Sequence, residues 1–375
     1  MATATAPMTV DALADATPPS RDRSVDFLRA VAIGVVVLWH WVLSVTHWAD
    51  GRLTMPNPIG DVPALWSATW LLQVMPLFFV VGGVANRAAW TAARRDGRSA
   101  GDFVLARLRR LARPTALFVG AWAVFEVVAG AAAPGYPGVL AYGRVVFVPL
   151  WFLAVYAGVV ALVPVTATLH ARRPGRTLAA LLVAVAAGDL GRLGLGIDVL
   201  GVVSTAGVWL FAHQLGYWWR DGTLLRGGRR TAAGVAALGL AGLAVLTGFG
   251  PYPRSMVAVR GAGTSNMLPT TLCIAALAIL QLGVALWLRD PLNRWLGRRR
   301  PWRAVVAVNG VAMTVFCWHM TALLLAIGAW HLVGGGLAAE PTAAWWALRP
   351  VWVVLPALFL VLFVALFGPR ERPRH

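Results

Sequence analysis

Lysine is absent from this sequence of 375 residues, although the chain carries 33 arginines and a formal net charge of +18. Acidic residues are few, with 15 aspartates and glutamates, and charged residues make up only 13% of the chain. The arginine bias, together with abundant alanine, glycine and valine, is typical of a GC-rich bacterial genome. In a soluble chain such a charge would indicate nucleic-acid binding, so the location of the arginines has to be settled first.

Cysteine and clustered acidic residues are also scarce, and this excludes several classes of site. The two cysteines, Cys273 and Cys317, both lie in apolar runs, which indicates neither a disulfide framework nor a thiolate metal site. The loops between the predicted spans contain no DxxxD or DDxxD pattern, the arrangement that would hold magnesium for chemistry on isoprenoid diphosphates. Two DxxxD sequences, DALAD (11–15) and DRSVD (22–26), lie before or at the start of the first span. We therefore expect no metal cofactor.

Long apolar runs dominate what is present: 59% of the residues are hydrophobic. A membrane-spanning helix needs roughly 20 mostly apolar residues. Ten segments meet this requirement, the fifth being interrupted by Asp189 and Arg192: residues 25–46, 63–86, 110–131, 146–168, 177–194, 197–219, 231–249, 267–288, 304–331 and 345–367. The predicted fold class is all-α, a polytopic bundle of ten transmembrane helices.

The arginines give this bundle an orientation. With a cytoplasmic N-terminus, 27 of the 33 arginines lie on the inner side. The six on the outer side are Arg52, Arg144, Arg192, Arg254, Arg260 and Arg349. Cytoplasmic loops are enriched in basic residues, so this asymmetry predicts that both termini are cytoplasmic. It also explains the net charge without nucleic acid.

The chain shows a single domain and two short tails. Residues 1–20 are rich in alanine, threonine and proline and lack an apolar core preceded by basic residues, so we do not expect a cleavable signal. We predict a disordered cytoplasmic tail over 1–22, one transmembrane domain over 23–369 and a basic cytoplasmic tail over 370–375. The longest loop, residues 87–109, is too short for a soluble domain.

The first span carries ionisable residues that are costly in a bilayer and need a partner or a function. Arg29 and His40 are eleven residues apart, close to three helical turns, which predicts one helix face with the two side chains about 16 Å apart. Asp26, three residues before Arg29, is placed to pair with it. Interface anchoring by Asp26 and Arg29, with a simple hydrogen bond for His40, is the structural alternative.

A second basic group opens the third span in the sequence RLRRLARP. Arg110 and Arg113 are three residues apart and share a helix face, and Pro114 suits the first turn of a helix. Two guanidinium groups on one face would bind phosphate well. Anchoring at the inner membrane surface is the alternative, and we expect it to account for Arg107 and Arg109.

Four further ionisable residues lie inside predicted spans. They are Glu126 in span three, Asp189 in span five, His213 in span six and His319 in span nine. Their positions place Glu126 and His319 in the outer half of the bilayer with His40, where the three could share one polar chamber. His213 should lie nearer the cytoplasm, within reach of a ligand that enters there. A satisfied hydrogen bond in the core is the alternative for each.

Several of these segments resemble the acyltransferase 3 family of bacterial membrane acyltransferases. The resemblance rests on DFLRAVAIGVVVLWH (26–40), MPLFFVVGG (75–83), RLARP (110–114), LWFL (150–153) and WHM (318–320). In this order, and with ten spans, the motifs cover nearly the whole chain. One departure is that many members have serine before glycine after the FF pair, where this chain has Gly82 and Gly83.

The resemblance implies a plasma-membrane enzyme that transfers an acyl group from cytoplasmic acyl-CoA, carrying acetyl or another short chain, to a hydroxyl of a sugar, envelope glycan or glycosylated metabolite. His40 would be the general base, with Glu126 and His319 orienting it or binding the acceptor. The residues expected to hold the donor are Arg29, Arg110, Arg113 and His213. An acyl-histidine relay is an open variant of this mechanism. The alternative function is a transporter or flippase for a small polar or lipid-linked substrate.

Overall fold

A computed structural model describes residues 9–371, which are mostly helical and contain one two-stranded sheet. The bounds of the helices and strands, in chain order, are α1 (Val10–Asp15), α2 (Arg23–Val42), β1 (His47–Ala49), β2 (Arg52–Thr54), α3 (Trp66–Leu72), α4 (Met75–Arg95), α5 (Ala100–Ala132), α6 (Val139–Tyr142), α7 (Leu150–Ala161), α8 (Val163–Arg172), α9 (Pro174–Asp189), α10 (Gly201–Arg220), α11 (Gly228–Phe249), α12 (Leu272–Leu296), α13 (Arg299–Asn309), α14 (Ala312–Leu332), α15 (Ala343–Ala347) and α16 (Val351–Phe367).

Ten helical segments within residues 9–371 are long and apolar enough to cross a membrane. They are Arg23–Val42, Trp66–Arg95, Ala100–Ala132, Arg144–Ala161, Pro174–Gly194, Asp198–Arg220, Gly228–Phe249, Leu272–Leu296, Ala312–Leu332 and Val351–Arg370. The prediction of an all-α bundle with ten spans is confirmed. In a bilayer each backbone N–H and C=O needs an internal partner, and a helix satisfies both within one segment.

Two spans that the sequence predicted as continuous are broken. The second divides between α3 and α4 at Gln73 and Val74, and the fourth divides between α7 and α8 at Leu162. In each case a proline follows, Pro76 in α4 and Pro164 in α8, at the first or second position of the new helix. Proline lacks the N–H that would continue the preceding helix, so it favours a helix start at these points.

The prediction of a loop over residues 87–109 is wrong. Helix α4 continues to Arg95 and α5 begins at Ala100, so only residues 96–99 connect them. Alanine, leucine and arginine favour helix, and charge alone does not interrupt it. Pro114 consequently lies inside α5 rather than in its first turn.

The ninth span begins at Ala312, later than the predicted residue 304. The preceding residues form the separate helix α13, which buries Trp302 and Val305 against Phe27 and Ala14. Ala14 belongs to α1, which lies in the segment predicted as a disordered tail but is helical in the structure. The other parts of the predicted tails, residues 1–8 and 372–375, lie outside the described residues.

Asp22 joins three helices at one end of the bundle. Its carboxylate accepts hydrogen bonds from Arg289 (2.7 Å), Asn293 (2.8 Å), Trp219 (3.3 Å) and Ser24 (2.6 Å). The start of α2 and the ends of α10 and α12 therefore lie together. We call this the arginine-rich end, because these helix ends carry the basic segments.

Glycines allow α4 and α10 to approach closely. A Cβ atom at Gly83 would overlap the backbone carbonyl of His213, and one at Gly216 would overlap the carbonyl of Val80. Helices α11 and α12 approach in the same way at Gly239 and Gly283. Small residues at such crossings are typical of membrane bundles, where close van der Waals packing drives helix association.

The end opposite the arginine-rich end is covered by loops and the β1–β2 hairpin. The loop after α11 is held there by Asn57, which donates to the Ala258 carbonyl (2.7 Å), and by Trp70, which donates to the Arg254 carbonyl (2.9 Å). These loops cover the region where α2 ends and α4 begins.

Candidate functional site

His40 and His319 form a direct pair between α2 and α14. The Nδ1 atom of His40 lies 3.0 Å from Nε2 of His319, and the two rings are nearly parallel with centroids 5.1 Å apart. His319 is completely buried, whereas His40 is half-buried. Trp41 also donates to the His319 carbonyl at 3.0 Å, which fixes the two helices at this level.

The hydrogen-bond partners determine which nitrogen of each neutral ring carries the proton. Nδ1 of His319 lies 2.7 Å from the Phe316 carbonyl, which can only accept, so this nitrogen is the donor. Nε2 of neutral His319 is then an acceptor, and Nδ1 of His40 must donate to it. In this tautomer the remaining nitrogen, Nε2 of His40, keeps an unprotonated lone pair, and the hydrogen bond of the ring to His319 is made by Nδ1.

His40 lines a cavity of about 170 Å³. Its wall is largely apolar and includes aromatic and sulfur-containing side chains: Trp39, Trp151, Phe152, Phe316, Met75 and Met267. Gln73, at the break between α3 and α4, also lines it, and α2 ends two residues after His40. The cavity therefore lies in the half of the bundle away from the arginine-rich end.

Arg29 begins the other half of the site, on the same face of α2. Its Nε donates to Asn309, just before α14, at 2.7 Å, while His40 contacts α14 itself. The predicted common face of Arg29 and His40 is therefore present. Asp26 is 3.9 Å from Arg29 but forms its shorter pair with Arg21, at 2.7 Å. The predicted Asp26–Arg29 pair is thus the weaker of the two.

Three arginines lie near one another beside the start of α2. Arg110 is close enough to Arg29 and to Arg107 for their positive charges to repel, and Tyr156 is close to Arg29 and Arg107. Arg107 donates to the Ala85 carbonyl at 3.4 Å. We call Arg29, Arg107 and Arg110 the arginine cluster. Asp26 lies 3.9 Å from Arg29, and Glu371 is near Arg110, so the guanidinium groups outnumber the carboxylates beside them. An excess of guanidinium groups suits a phosphate-bearing ligand.

His213 lies beside this cluster in a buried hydrogen-bonded group. The Asn86 amide nitrogen is 3.1 Å from Nε2 of His213 and 3.3 Å from the Tyr156 hydroxyl. Gly82 fits beneath Tyr156, because a Cβ there would lie 3.0 Å from both the ring and the hydroxyl oxygen. A larger residue at position 82 would displace the tyrosine that Asn86 binds.

Glu126 and Arg113 are placed apart from these groups. The Glu126 carboxylate accepts from the Tyr136 hydroxyl (2.7 Å) and the Val139 amide (3.1 Å), so it holds the segment after α5 and does not join the histidine pair. Of the three residues predicted to share a chamber, His40, Glu126 and His319, the structure brings together only the two histidines, and only His40 lines the cavity. Arg110 and Arg113 are both exposed, and no ion pair or hydrogen bond of either side chain is present in the described part of the chain. They differ in that only Arg110 is close to Arg29 and Arg107.

Arg107 lies in the arginine cluster, although the sequence predicted only an anchoring role for it. It precedes Arg110 by three residues, the same spacing as Arg110 and Arg113, so spacing could not choose between them. Which arginine of α5 joins the arginine cluster depends on which side of α5 faces Ala85 and Arg29. The side of a long helix that packs against its neighbours is determined by tertiary contacts and not by the spacing of residues along the helix.

The chain has no significant match among curated proteins or among solved structures. The acyltransferase 3 family model, described as an acyltransferase domain, matches residues 22–368. The protein therefore belongs to the acyltransferase 3 family and is a membrane acyltransferase.

Proposed function

We propose that the protein transfers a short acyl group from acyl-CoA to a hydroxyl of a sugar, envelope glycan or glycosylated metabolite, with His40 as the general base. The observation that supports the proposal is the His40–His319 pair, in which His40 lines a cavity and His319 is bound to the Phe316 carbonyl. These hydrogen bonds favour the tautomer of His40 with an unprotonated Nε2. A thioester is already reactive, whereas an alcohol must lose its proton as it attacks.

The proposed reaction has two steps. The acceptor oxygen attacks the thioester carbonyl carbon while its proton moves to Nε2 of His40, giving a tetrahedral intermediate and a positively charged imidazole. The carbon–sulfur bond then breaks, and the CoA sulfur leaves with the proton that His40 returns. His319 holds Nδ1 of His40 and favours the tautomer that starts this cycle; the pair resembles the histidine–carboxylate arrangement of other acyl-transfer enzymes, with imidazole replacing carboxylate.

The two halves of the site fit the two ends of the donor. The phosphates would lie at the arginine cluster, and the thioester would lie at His40, about 16 Å farther along α2. The flexible pantetheine arm of CoA connects these groups. Arg29, Arg110 and His213 keep the donor-binding roles proposed from the sequence, and Arg107 is added to them. Arg113 remains a candidate from its spacing alone.

The location of the cavity favours an acceptor that approaches from the end opposite the arginine-rich end. The small volume and aromatic wall of the cavity suit a short acyl group such as acetyl. We further propose that the arginine-rich end is cytoplasmic, which places both termini inside and the enzyme in a bacterial plasma membrane.

Radiolabelled acetyl-CoA provides the test. Membranes that contain the wild-type protein should transfer label from the acetyl group to carbohydrate or metabolite material, and His40→Ala should abolish this transfer while accumulating as folded protein. Full transfer by folded His40→Ala would overturn the role of His40. Absence of transfer from acetyl-CoA and from other short-chain acyl-CoAs by the wild type would overturn the choice of donor.

A further inference from the structure

A polar pocket separate from the His40 cavity opens at the arginine-rich end. It has a volume of about 350 Å³, within the range of small-molecule sites. We call it the His170 pocket, and its lining comes from α4, α8, α9, the end of α10 and the turn that follows: Arg87, His170, Ala171, Pro174, Trp218, Asp221 and Thr223.

Two buried polar atoms on residues lining this pocket have no partner. Nδ1 of His170 and Nε1 of Trp218 make no hydrogen bond within the described residues, and His170 is only 4% exposed. An unsatisfied buried polar group is costly, so it requires an explanation. A ligand that offers an acceptor to Trp218 and a donor to His170 would satisfy both atoms.

The pocket is close to electrically neutral, which distinguishes it from the arginine cluster. Arg87 pairs with Asp221 at 3.3 Å, and Nε2 of His170 lies 3.0 Å from the same carboxylate. Burial lowers the pKa of His170, and the raising effect of Asp221 does not cancel this, so the ring is neutral at pH 7. With Nε2–H donating to Asp221, Nδ1 is an acceptor. Such a pocket suits an uncharged ligand better than a phosphate.

The pocket adjoins the donor site through α4 and α10. Arg87 directly follows Asn86, whose amide binds His213 and Tyr156 beside the arginine cluster. The Arg87 guanidinium also lies 5.8 Å from the centre of the Tyr217 ring, which packs edge-on against both His170 and His213. A ligand bound at the arginine cluster could therefore extend into this pocket.

We propose that the His170 pocket binds the adenine base of the acyl-CoA donor, and this inference rests on the proposed function. Adenine is flat and uncharged, its ring nitrogens accept hydrogen bonds, and its exocyclic amine donates them. A ring nitrogen accepts from Nε1–H of Trp218, and the amine donates to Nδ1 of His170. The phosphates then remain at the arginine cluster, where guanidinium groups outnumber carboxylates.

The test compares two probes that differ by the nucleotide part, 3′-phospho-AMP. CoA contains it, whereas 4′-phosphopantetheine retains the arm, the thiol and one phosphate without it. Calorimetry on the purified full-length protein measures both dissociation constants. Trp218→Phe keeps a flat side chain but removes the N–H, and Trp287→Phe is the matched control at an exposed tryptophan of α12. His170→Phe is the second variant, which removes the acceptor.

Trp218→Phe and His170→Phe should each weaken CoA binding about five- to tenfold, the effect of one lost hydrogen bond, and leave 4′-phosphopantetheine binding unchanged. Trp287→Phe should change neither. If the wild type binds both probes and the pocket variants weaken them equally or not at all, the adenine assignment is wrong while the donor assignment stands. If the wild type binds neither probe, the proposed function fails as well. ADP binding by a protein that does not bind CoA would assign the pocket to free nucleotides and also overturn the proposal.

Discussion

Nδ1 of His40 on α2 is hydrogen-bonded to Nε2 of His319 on α14, at 3.0 Å. The two residues are 279 positions apart in the chain, so the fold of the whole bundle is required to form the pair. Because His319 is fully buried and bound to a backbone carbonyl on its other side, it can orient His40 without reaching the cavity itself. His319 is therefore a positioning residue in this mechanism.

Replacing His319 should slow the acyl-transfer step without weakening donor binding. His319→Leu removes the acceptor for Nδ1 of His40 and should lower kcat about 10²-fold with an unchanged donor KM. His319→Gln, whose side-chain carbonyl can accept the same hydrogen bond, should recover part of the rate. The matched control is His331→Leu, at an exposed position of the same helix. A loss in His319→Leu that appears only in KM, or equal losses in both His319 variants, would contradict a positioning role.

The arginine cluster predicts which residues of α5 hold the donor. Arg107→Ala should raise the KM for acyl-CoA about tenfold and change kcat little, because the interaction is with the phosphates and not with the reacting atoms. Arg109→Ala, at an exposed neighbouring position, is the control and should behave as wild type. Steady-state kinetics with varied donor concentration measure the effect.

Arg113→Ala tests which arginines hold the donor. Spacing predicts the pair Arg110 and Arg113, whereas the structure places Arg110 in the arginine cluster without Arg113. If spacing alone determines donor binding, Arg113→Ala raises the donor KM as much as Arg110→Ala does. The structure predicts a large effect for Arg110→Ala and a small one for Arg113→Ala. The reverse order would contradict the membership of Arg110 in the donor-binding cluster.

CoA should stabilise the purified protein against heat. A ligand that binds only the native state at 100 times its dissociation constant contributes about 2.7 kcal/mol, which raises Tm measurably. Arg29→Ala should reduce the shift at the same CoA concentration. A transporter or flippase without a CoA site predicts no shift at any concentration, so this measurement discriminates between the two functions.

His170 predicts one component of the pH dependence of stability. Burial lowers its pKa below the ordinary value of 6.5, so between these two values the unfolded chain binds a proton that the native protein does not. Stability should therefore rise with pH in that interval and fall as the pH drops below 6.5. In His170→Gln the slope of the free energy of unfolding against pH should be smaller by up to about 1.4 kcal/mol per pH unit. Chemical denaturation from pH 5 to 8 provides the comparison, and identical slopes would contradict the shift.

The close crossing of α4 and α10 predicts that one methyl group added at Gly83 strongly lowers stability. Gly83→Ala would force the His213 carbonyl away, separating the helices that hold Asn86 and His213, and should lower Tm strongly or prevent folding. Gly34→Ala is the control, because nothing lies within 4 Å of its added Cβ, and it should stabilise α2 by about 0.5–1 kcal/mol. Similar Tm values for the two variants would show that the crossing tolerates expansion.

Much of the bundle could be predicted because membrane spans are local in sequence. Length and apolarity identify a span without knowledge of its neighbours, and a separation of eleven residues is sufficient to align Arg29 with His40. The breaks at Gln73 and Leu162 were missed because a hydropathy window does not detect a proline that starts a new helix. Their signal, Pro76 and Pro164, was present in the sequence.

The composition of the candidate site was less predictable because it depends on packing between distant helices. Similar depth in the bilayer led to the prediction that His40, His319 and Glu126 share one chamber. Depth does not specify on which side of its helix each residue lies. Glu126 faces the segment that follows its own helix, where Tyr136 and the Val139 amide occupy its carboxylate. Arg107 and Arg113 differ in the same way, since both have the correct spacing and only Arg107 contacts α4.

The most direct test is mass spectrometry of envelope material and secreted metabolites from cells that lack the gene, complemented with the wild type or with His40→Ala. Both proteins should be present in the membrane at equal amounts. We predict that the wild type restores a product heavier by one short acyl group and that His40→Ala does not. An equal amount of the acylated product with His40→Ala, or no acyl-sized mass difference with the wild type, would contradict acyl transfer through His40.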